Sequence, residues 1–366
     1  MATIEEQIKE IEAELARTQY NKKTQHHIGK LKAKMARLRH ELEVRRSKGP
    51  KAEGYAVKKS GHATVALVGF PSVGKSTLLN KITSAKSEVA PYQFTTLTVI
   101  PGLMEHRGAK IQVLDMPGLI KDASKGKGRG REVLSVVRSA DLVLLMLDVF
   151  ETNLDVLVNE LRAANMRLNE RPPDIVISKK NRGGVTVNFT TKQSVLDEDL
   201  VKAMVSEYGY INADVVIRED INEDQLIDYL AGNRLYVPAI VAINKTDLVT
   251  RDYLVQLEKR LKGWKVIPIS AEKEQGLEEL KDAIFDALRF IRVYMKPQGK
   301  EADLVEPLVI KDGSDIGVIC DSIHRDFRKN FRYAQVWGRS ARFPGQIVGL
   351  DHKVADQDIV TIIVRR

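Results

Sequence analysis

The first part of the chain carries a helical hydrophobic pattern, in which apolar residues recur every three or four positions. One set is Ile4, Ile8, Ile11 and Leu15, and a second is Ile28, Leu31, Met35, Leu38 and Leu42. Such spacing places each set on one face of a helix, and narrow apolar seams of this kind pair with each other. The pattern predicts a helical hairpin with its turn around 18–24 and a linker at 48–54.

From residue 63 the pattern changes to short, continuous apolar runs, which are typical of buried parallel strands. These runs cover 63–68, 110–114, 141–147, 236–243 and 265–269. Helical segments are predicted at 77–82, 153–164 and 277–288. Strands that alternate with helices predict an α/β fold with a mostly parallel, doubly wound sheet.

About seventy residues separate the 153–164 helix from the next strand of this sheet. Within them, 174–178 and 185–189 flank a glycine-containing turn and are predicted to form a hairpin. Helices are predicted at 198–208 and 223–230, with a strand at 213–217 between them. The segment is therefore expected to be a small inserted α/β domain, used for docking or for spacing.

The last seventy-five or so residues change pattern again. Strands are predicted at 291–295, 308–310 and 359–364 and a helix at 316–323, an order that suits a β-grasp module. The segment 325–342, interpreted as a loop, mixes cations with rings: Arg325, Arg328, Lys329, Arg332, Arg339, Arg342, Phe327, Phe331, Tyr333 and Trp337. Such a mixture stacks on exposed bases in RNA-binding proteins, but the rings could equally be core.

A phosphate-binding loop follows the first buried strand and opens a helix, which is the context that this motif requires. It has the form GxxxxGKS and comprises Gly69, Phe70, Pro71, Ser72, Val73, Gly74, Lys75 and Ser76, with Thr77 next. Its backbone N–H groups surround a polyphosphate, Lys75 reaches the β- and γ-phosphates, and the Ser76 hydroxyl binds Mg²⁺. The loop predicts that the chain binds a nucleoside triphosphate.

The base is predicted from an NKxD sequence at the end of the 236–243 strand, where Asn244, Lys245 and Asp247 stand. Asp247 can accept hydrogen bonds from both guanine donors, whereas adenine offers no donor at N1, so the ligand is expected to be GTP or GDP. The Lys245 stem can cover the base. Ser270, Ala271 and Glu272 form a weaker third element, with the Ala271 N–H directed at the guanine oxygen.

Residues that sense the γ-phosphate are predicted between these motifs. Asp115 is expected to hold Mg²⁺ through water, and the Gly118 N–H to donate to the γ-phosphate. Thr95 and Thr96 lie where a threonine closes over Mg²⁺, and the sequence leaves open which of them binds it. Lys75, Ser76, Thr95, Thr96 and Gly118 form the predicted catalytic set, and Ser76, Asp115 and one of the two threonines the metal set.

Leu119 follows Gly118, where many signalling GTPases have a glutamine that orients the attacking water. An isobutyl side chain cannot orient water. Intrinsic hydrolysis is therefore expected to be slow unless an ion or a stimulatory protein partner helps. A GTP-gated RNA- or ribosome-binding scaffold with negligible turnover remains the alternative.

Net charge of +9 favours an acidic partner, with RNA first. In the N-terminal hairpin the basic residues concentrate between Lys22 and Arg46, and the sequence leaves open whether they contact RNA or only keep the hairpin soluble. Cys320 is the only cysteine, which excludes an internal disulfide. Without a signal-like or membrane-spanning apolar stretch, we expect no membrane association and a cytoplasmic location.

Four stretches of this sequence, 69–77, 92–97, 115–119 and 126–130, closely resemble the developmentally regulated GTP-binding protein (DRG) family of the Obg-related GTPases. The resemblance extends over essentially the whole chain. It implies a GTPase linked to ribosomes and translation, an insert that resembles ribosomal protein S5, and a C-terminal TGS domain. Ser72 stands where potassium-stimulated relatives have an asparagine, so activation by K⁺ stays open.

The predicted boundaries follow from these patterns together with the resemblance. They are 1–60 for the hairpin and linker, 61–169 and 236–290 for the two parts of the GTPase domain, 170–235 for the insert and 291–366 for the TGS domain.

Overall fold

The computed structural model of the chain describes residues 3–19, 21, 24–47, 61–83, 100–116 and 136–365. Its contacts divide the chain into two compact units. The first unit contains Met1–Gly54 and Asn165–Tyr236, and the second contains Tyr55–Ala164 and Val237–Arg366. The N-terminal segment thus packs with the insert, although most of the chain between them belongs to the second unit.

Ten α-helices lie wholly within the described residues. They are α1 (Ile4–Arg17), α2 (Gln25–Ser47), α3 (Lys75–Ile82), α4 (Leu154–Ala163), α5 (Glu198–Glu207), α6 (Glu223–Ala231), α7 (Arg251–Arg260), α8 (Leu277–Ala287), α9 (Ile316–Ile323) and α10 (Arg325–Lys329).

Sixteen strands lie within the same part of the chain. They are β1 (Ala63–Gly69), β2 (Ile100–His106), β3 (Ala109–Asp115), β4 (Leu142–Asp148), β5 (Met166–Leu168), β6 (Ile175–Lys179), β7 (Val185–Phe189), β8 (Ala213–Ile217), β9 (Leu235–Val237), β10 (Ala239–Asn244), β11 (Val266–Pro268), β12 (Phe290–Met295), β13 (Leu308–Lys311), β14 (Phe331–Trp337), β15 (Gln346–Val348) and β16 (Asp358–Val364).

The central sheet of the second unit has the order β11-β10-β4-β1-β3-β2 and is parallel except at β2. Every residue of β1, β4 and β10 is buried, which explains their unbroken apolar runs. Pro238 divides the predicted 236–243 strand into β9 and β10, since proline has no N–H for the ladder. The carboxyl ends of the parallel strands meet at one edge, which brings the predicted motifs together.

The C-terminal sheet has the order β13-β12-β16-β14-β15, with α9 packed on it through Ile316, Ile319 and Cys320. The prediction that 325–342 is a loop is wrong, because α10 and β14 occupy most of it. Strand β14 lies inside the sheet: it pairs with both β15 and β16 and buries Ala334 and Val336. Buried and less buried residues alternate along β14, but its charged and aromatic residues obscured this pattern in the sequence.

The predicted hairpin of the insert is also wrong. Strands β6 and β7 do not pair; β8 lies between them, antiparallel to β6 and parallel to β7. Asn212, directly before β8, bonds to both ends of the connection between β6 and β7. Its backbone carbonyl oxygen accepts from Lys180 N at 3.0 Å, and its side-chain oxygen accepts from Gly184 N at 2.8 Å. The connection therefore wraps around β8 instead of closing a two-strand turn.

The N-terminal helices confirm the predicted hairpin. Ile8, Ile11 and Leu38 form a buried seam between α1 and α2. A second face of α2 packs on the insert, where Ala33 is fully buried in the core formed by α5, α6 and the β6-β8-β7 sheet. Helix α2 therefore has two packed faces, and the hairpin and insert share one core.

No helix among the described residues is both long enough and apolar enough to cross a membrane.

Candidate functional site

The phosphate loop joins β1 to α3 in a backbone conformation that requires its second motif glycine. Gly74 caps α3 with φ +95°, in the left-handed region that glycine tolerates. A Cβ on Gly74 would lie 2.4 Å from Asn244 Nδ2. The loop is therefore shaped for close contact with the Asn244 side chain.

Lys75 lies inside this loop. Its Nζ donates to the carbonyl oxygens of Gly69 and Phe70, at 3.1 and 2.9 Å, and the residue is 8% exposed. Burial lowers the pKa of Lys75, and the nearby carboxylate of Asp115 opposes that shift. A phosphate oxygen is a stronger acceptor than either carbonyl, so an entering polyphosphate can take over these hydrogen bonds.

The side chains of Ser76 and Asp115 meet beside Lys75, although they come from different elements. Ser76 Oγ donates to Asp115 Oδ2 at 2.6 Å. Asp115 is 5% exposed, and its Oδ1 has no hydrogen-bond partner among the described residues. A buried carboxylate oxygen without a partner next to a hydroxyl fits the ligand preference of Mg²⁺.

This donor set is small. No group of three or more histidine, cysteine, aspartate or glutamate side chains suited to a metal occurs in the described part of the chain. A Mg²⁺ ion held by Ser76 and Asp115 would need water and phosphate oxygens for the rest of its shell, which is how Mg²⁺ is usually bound beside nucleotides.

A single buried amide connects the three predicted nucleotide segments. Asn244 Nδ2 donates to Val73 O at 2.8 Å, and Asn244 Oδ1 accepts from Ala271 N at 2.9 Å. Asn244 is 4% exposed. Thr246 adds a second connection, because its backbone N–H and its hydroxyl both donate to Ile269 O.

The remaining predicted residues that the structure describes differ in their exposure. Asp247 lies exposed on a 3₁₀ turn, Thr246–Leu248, and Glu272 is also exposed. Ser270 is buried, and its hydroxyl accepts from Lys273 N at 3.1 Å. In the phosphate loop, Pro71 and Ser72 are exposed, Phe70 packs against the core of the central sheet, and Thr77 lies in the first turn of α3. Thr95, Thr96, Gly118 and Leu119 lie outside the described residues.

The structure adds two residues that the sequence reasoning missed. Asp148 ends β4 and binds Lys245 Nζ at 2.5 Å, and Phe150 lies two residues further, 71% exposed. Burial raises the pKa of Asp148, but hydrogen bonds from Lys245 and from the Glu151 and Phe150 N–H groups outweigh it and hold that pKa below its usual range. An aspartate directly after a buried strand was the available signal.

The basic residues of α2 contact the insert. Lys32 Nζ lies 3.1 Å from Glu223 Oε2 and 3.6 Å from Asp224 Oδ1, and Arg37 donates to Glu207 O at 2.7 Å. Burial lowers the pKa of Lys32, but the two carboxylates outweigh it and raise that pKa overall. Lys32 and Arg37 therefore do more than keep the hairpin soluble, and RNA contact by the other α2 cations stays a prediction.

In the C-terminal domain, Phe327 and Phe331 pack against the β-grasp core, which supports the core alternative for these two rings. Lys296 Nζ lies 4.8 Å from the centroid of the Trp337 ring. Arg339 and Arg342 remain exposed, and they lie with the 59% exposed Phe343 in the connection between β14 and β15.

Comparison with known proteins gives matches along the chain. Family models match residues 64–179 as a 50S ribosome-binding GTPase, 182–290 as the C-terminal region of the MMR_HSR1 domain, and 291–364 as a TGS domain. The solved structure of the Schizosaccharomyces pombe YchF GTPase covers 84% of this chain and 99% of its own, with 17% identity and a TM-score of 0.46.

Curated relatives match over nearly the full length. An uncharacterized GTP-binding protein of Methanocaldococcus jannaschii is 54% identical over 99% of this chain and 93% of its own. The developmentally-regulated GTP-binding protein 1 homolog of Dictyostelium discoideum is 46% identical over 98% of each chain. The chain therefore belongs to the developmentally regulated GTP-binding protein family, GTP-binding proteins that combine a P-loop GTPase domain with a C-terminal TGS domain.

Proposed function

We propose that this protein hydrolyses GTP to GDP and phosphate with Mg²⁺ as its metal ion. The observation that carries the proposal is the arrangement at the end of the phosphate loop, where Ser76 Oγ and a buried carboxylate oxygen of Asp115 lie 2.6 Å apart. Asp115 Oδ1 is buried and unpartnered among the described residues. The Ser76 hydroxyl and the Asp115 carboxylate suit a Mg²⁺ ion. When bound beside the γ-phosphate, such an ion would withdraw negative charge from that phosphate.

The residues of the chain have separate proposed roles. Lys75 holds the β- and γ-phosphates, Ser76 and Asp115 hold the metal, and the loop from Gly69 to Thr77 surrounds the phosphates. Asn244 joins the loop to the guanine segment. We propose that Asp247 pairs with the guanine donors and that Lys245, Ser270, Ala271 and Glu272 complete the base site.

For the γ-phosphate we propose that Gly118 donates its N–H and that Thr95 or Thr96 closes over the metal ion. Leu119 supplies no polar group to the attacking water, so we propose a slow intrinsic rate. An arginine supplied by a protein partner is worth on the order of 10³ to 10⁵ in rate in GTPases that receive such help, and K⁺ is the second proposed activator.

The test is single-turnover hydrolysis of γ-labelled GTP in potassium and in sodium, with and without ribosomes. Lys75→Ala and Ser76→Ala should abolish hydrolysis, while the tryptophan emission of the folded protein stays unchanged. Thr77→Ser, which keeps the hydroxyl in the same turn of α3, is the matched control. Negligible hydrolysis by the unchanged protein under all four conditions would favour a GTP-gated scaffold instead.

We further propose that the protein is a ribosome-associated factor in translation, related to the Obg GTPases and located in the cytoplasm. The net charge of +9 and the match to a family described as 50S ribosome-binding support this proposal. Ribosomal or other structured RNA is the proposed partner. The functional domains are proposed at 1–60, 61–169 with 236–290, 170–235 and 291–366.

Co-sedimentation with purified ribosomes across a salt series tests the second proposal. Binding through phosphates releases condensed counterions, so affinity should fall steeply as salt rises. Binding that ignores salt, or no binding with either GDP or a non-hydrolysable GTP analogue, would refute it.

A further inference from the structure

Asp148 is placed to act on the guanine site, although the nucleotide motifs do not include it. It ends β4 in register with Asn244, and the residue is 4% exposed. Its Oδ1 accepts the backbone N–H groups of Phe150 and Glu151, at 2.9 and 2.8 Å, and its Oδ2 accepts from Lys245 Nζ at 2.5 Å. The two oxygens therefore have different tasks.

The turn 148–151 is attached to the guanine segment and to α7 by one further hydrogen bond each. Val149 N donates to Asn244 O at 3.2 Å, and the hydroxyl of Tyr253 donates to Val149 O at 3.0 Å. Lys245 itself has φ 64°, a left-handed conformation that a long side chain rarely adopts. The lysine is thus held at both ends, by its backbone and by its ammonium group.

Phe150 is the exposed member of this assembly. Its ring is 71% exposed, although the backbone that carries it is fixed by Asp148, and its centroid lies 6.0 Å from Lys245 Nζ. A large, uncovered ring on a hydrogen-bonded turn presents an apolar surface to a ligand. A planar base with a π-face is the kind of ligand that such a surface favours.

We propose that Asp148 is a positioning residue of the guanine site, which fixes the Lys245 stem and the Phe150 ring as adjacent apolar surfaces for the bound base. The inference rests on the proposed assignment of Asn244, Lys245 and Asp247 to guanine. Lys245 has four rotatable side-chain bonds, and the ion pair with Asp148 restricts them before the nucleotide arrives. Lower ordering cost on binding then appears as higher affinity.

The competing explanation is that Asp148 only stabilises its own turn. The two oxygens separate these roles: Asp148→Asn retains an acceptor for the Phe150 and Glu151 N–H groups but removes the negative charge from Lys245. A positioning role predicts a loss of nucleotide affinity in this variant that is large compared with the small loss of stability from removing the ion pair.

Calorimetric titration of the full chain with GDP measures the effect. Asp148→Asn should raise Kd roughly 10-fold, as expected for a lost charge-assisted hydrogen bond. The thermal midpoint at neutral pH should fall only slightly, because the turn keeps its two backbone hydrogen bonds and loses the ion pair alone. Turnover at saturating GTP should stay within about twofold, since uniform binding affects KM and not kcat. Phe150→Ala should raise Kd roughly 10-fold, and Phe150→Tyr, which keeps the ring, should bind like the unchanged protein.

A double-mutant cycle then shows whether Asp148 acts through Lys245. In a Lys245→Ala background, Asp148→Asn should change Kd by less than about twofold, because the partner is already absent. Three results would each overturn the inference. They are additive effects of the two substitutions on Kd, an unchanged Kd in Asp148→Asn, and a general loss in that variant of affinity, kcat and thermal midpoint together. An unchanged GDP affinity in Asp247→Asn would instead overturn the proposed guanine site itself.

Discussion

A single methyl group at Gly74 should uncouple the phosphate loop from the guanine segment. The Cβ of Gly74→Ala would lie 2.4 Å from Asn244 Nδ2, and the backbone there has φ +95°. Asn244 cannot stay in place, because it is buried and its amide joins Val73 O to Ala271 N. The substitution therefore imposes backbone strain and also breaks a connection.

The two contributions have different sizes. An L-residue in a left-handed conformation costs about 1 to 2 kcal/mol. Each buried partner that loses its hydrogen bond costs about 1 to 3 kcal/mol, and Asn244 has two such partners. Gly74→Ala should therefore lower the free energy of unfolding by about 3 kcal/mol or more, and Asn244→Ala by about 2 kcal/mol or more. The double variant should lose only about 1 to 2 kcal/mol beyond Asn244→Ala, because the clash is gone.

Urea unfolding followed by tryptophan fluorescence is a suitable assay, since Trp264 and Trp337 both lie in the second unit. Gly263→Ala is the matched control: Gly263 has φ +99°, yet an added Cβ there would meet no atom within 4 Å. Gly263→Ala should therefore show only the cost of placing an L-residue in the left-handed conformation. GDP titration of the same variants should rank their affinities in the same order.

Equal destabilisation by Gly74→Ala and Gly263→Ala would show that the Asn244 side chain contributes no free energy here. Strict additivity in the double variant would lead to the same conclusion. Either result would refute the role of Asn244 as the connection between the two segments.

Three further outcomes are expected. Asp247→Asn should weaken GTP binding and favour xanthosine triphosphate, whose 2-oxo group accepts from the new amide; unchanged GTP affinity in a titration would exclude the assignment. Charge reversal at both Arg339 and Arg342 should make ribosome co-sedimentation less sensitive to salt, lowering the slope of log affinity against log salt by about one for each arginine that pairs with a phosphate, without changing GDP affinity. Hydrogen bonds from Arg292 outweigh the opposing effect of burial and hold the pKa of Asp356 below its usual range, so its stabilisation is present above about pH 4 and is lost as pH falls through the folded-state pKa. Asp356→Asn should therefore lower the thermal midpoint at neutral pH and match the unchanged protein in strong acid.

The fold of the second unit follows from the sequence where local signals agree. The apolar run predicts the first strand at 63–68, and the strand spans Ala63–Gly69; the helical period predicts the crossover helix at 153–164, and it spans Leu154–Ala163. Each segment combines an unbroken apolar run or a helical period with flanking polar residues. The phosphate loop and NKxD segments are equally readable, because each motif is contiguous and adjoins a buried strand.

Asp148 and Phe150 were missed for a different reason. The predicted strand ends at 147, so the next residue looks like the start of a loop. Its importance comes from β10, which lies beside β4 and places Lys245 next to the end of that strand. The neighbour of a parallel strand is set by topology, and sequence order alone does not reveal it.

The insert shows the same limit on strand pairing. The two strands flanking a short glycine-containing connection look like a hairpin, but the strand that lies between them comes more than twenty residues later. Strand β8 occupies the central place, where Ala213, Val215 and Ile217 are all buried, whereas β6 and β7 each bury only one residue. The strand order in the insert therefore follows the burial of alternate residues in β8 and not the proximity of β6 and β7 in the sequence.

The positive charge of α2 has a structural use that changes where RNA contact is to be sought. Lys32 is paired with Glu223 and Asp224, and Arg37 is bonded to the end of α5, contacts that span about 170 to 190 residues of sequence. A cation already paired within the first unit is less free to neutralise an RNA phosphate, so it releases fewer of the counterions condensed on the RNA. Charge reversal in α2 would therefore weaken the packing of the hairpin on the insert, so a loss of ribosome binding in such a variant would not show that α2 contacts RNA. Because Arg339 and Arg342 are exposed beside the exposed ring of Phe343, the C-terminal domain offers the sharper test of ribosome binding.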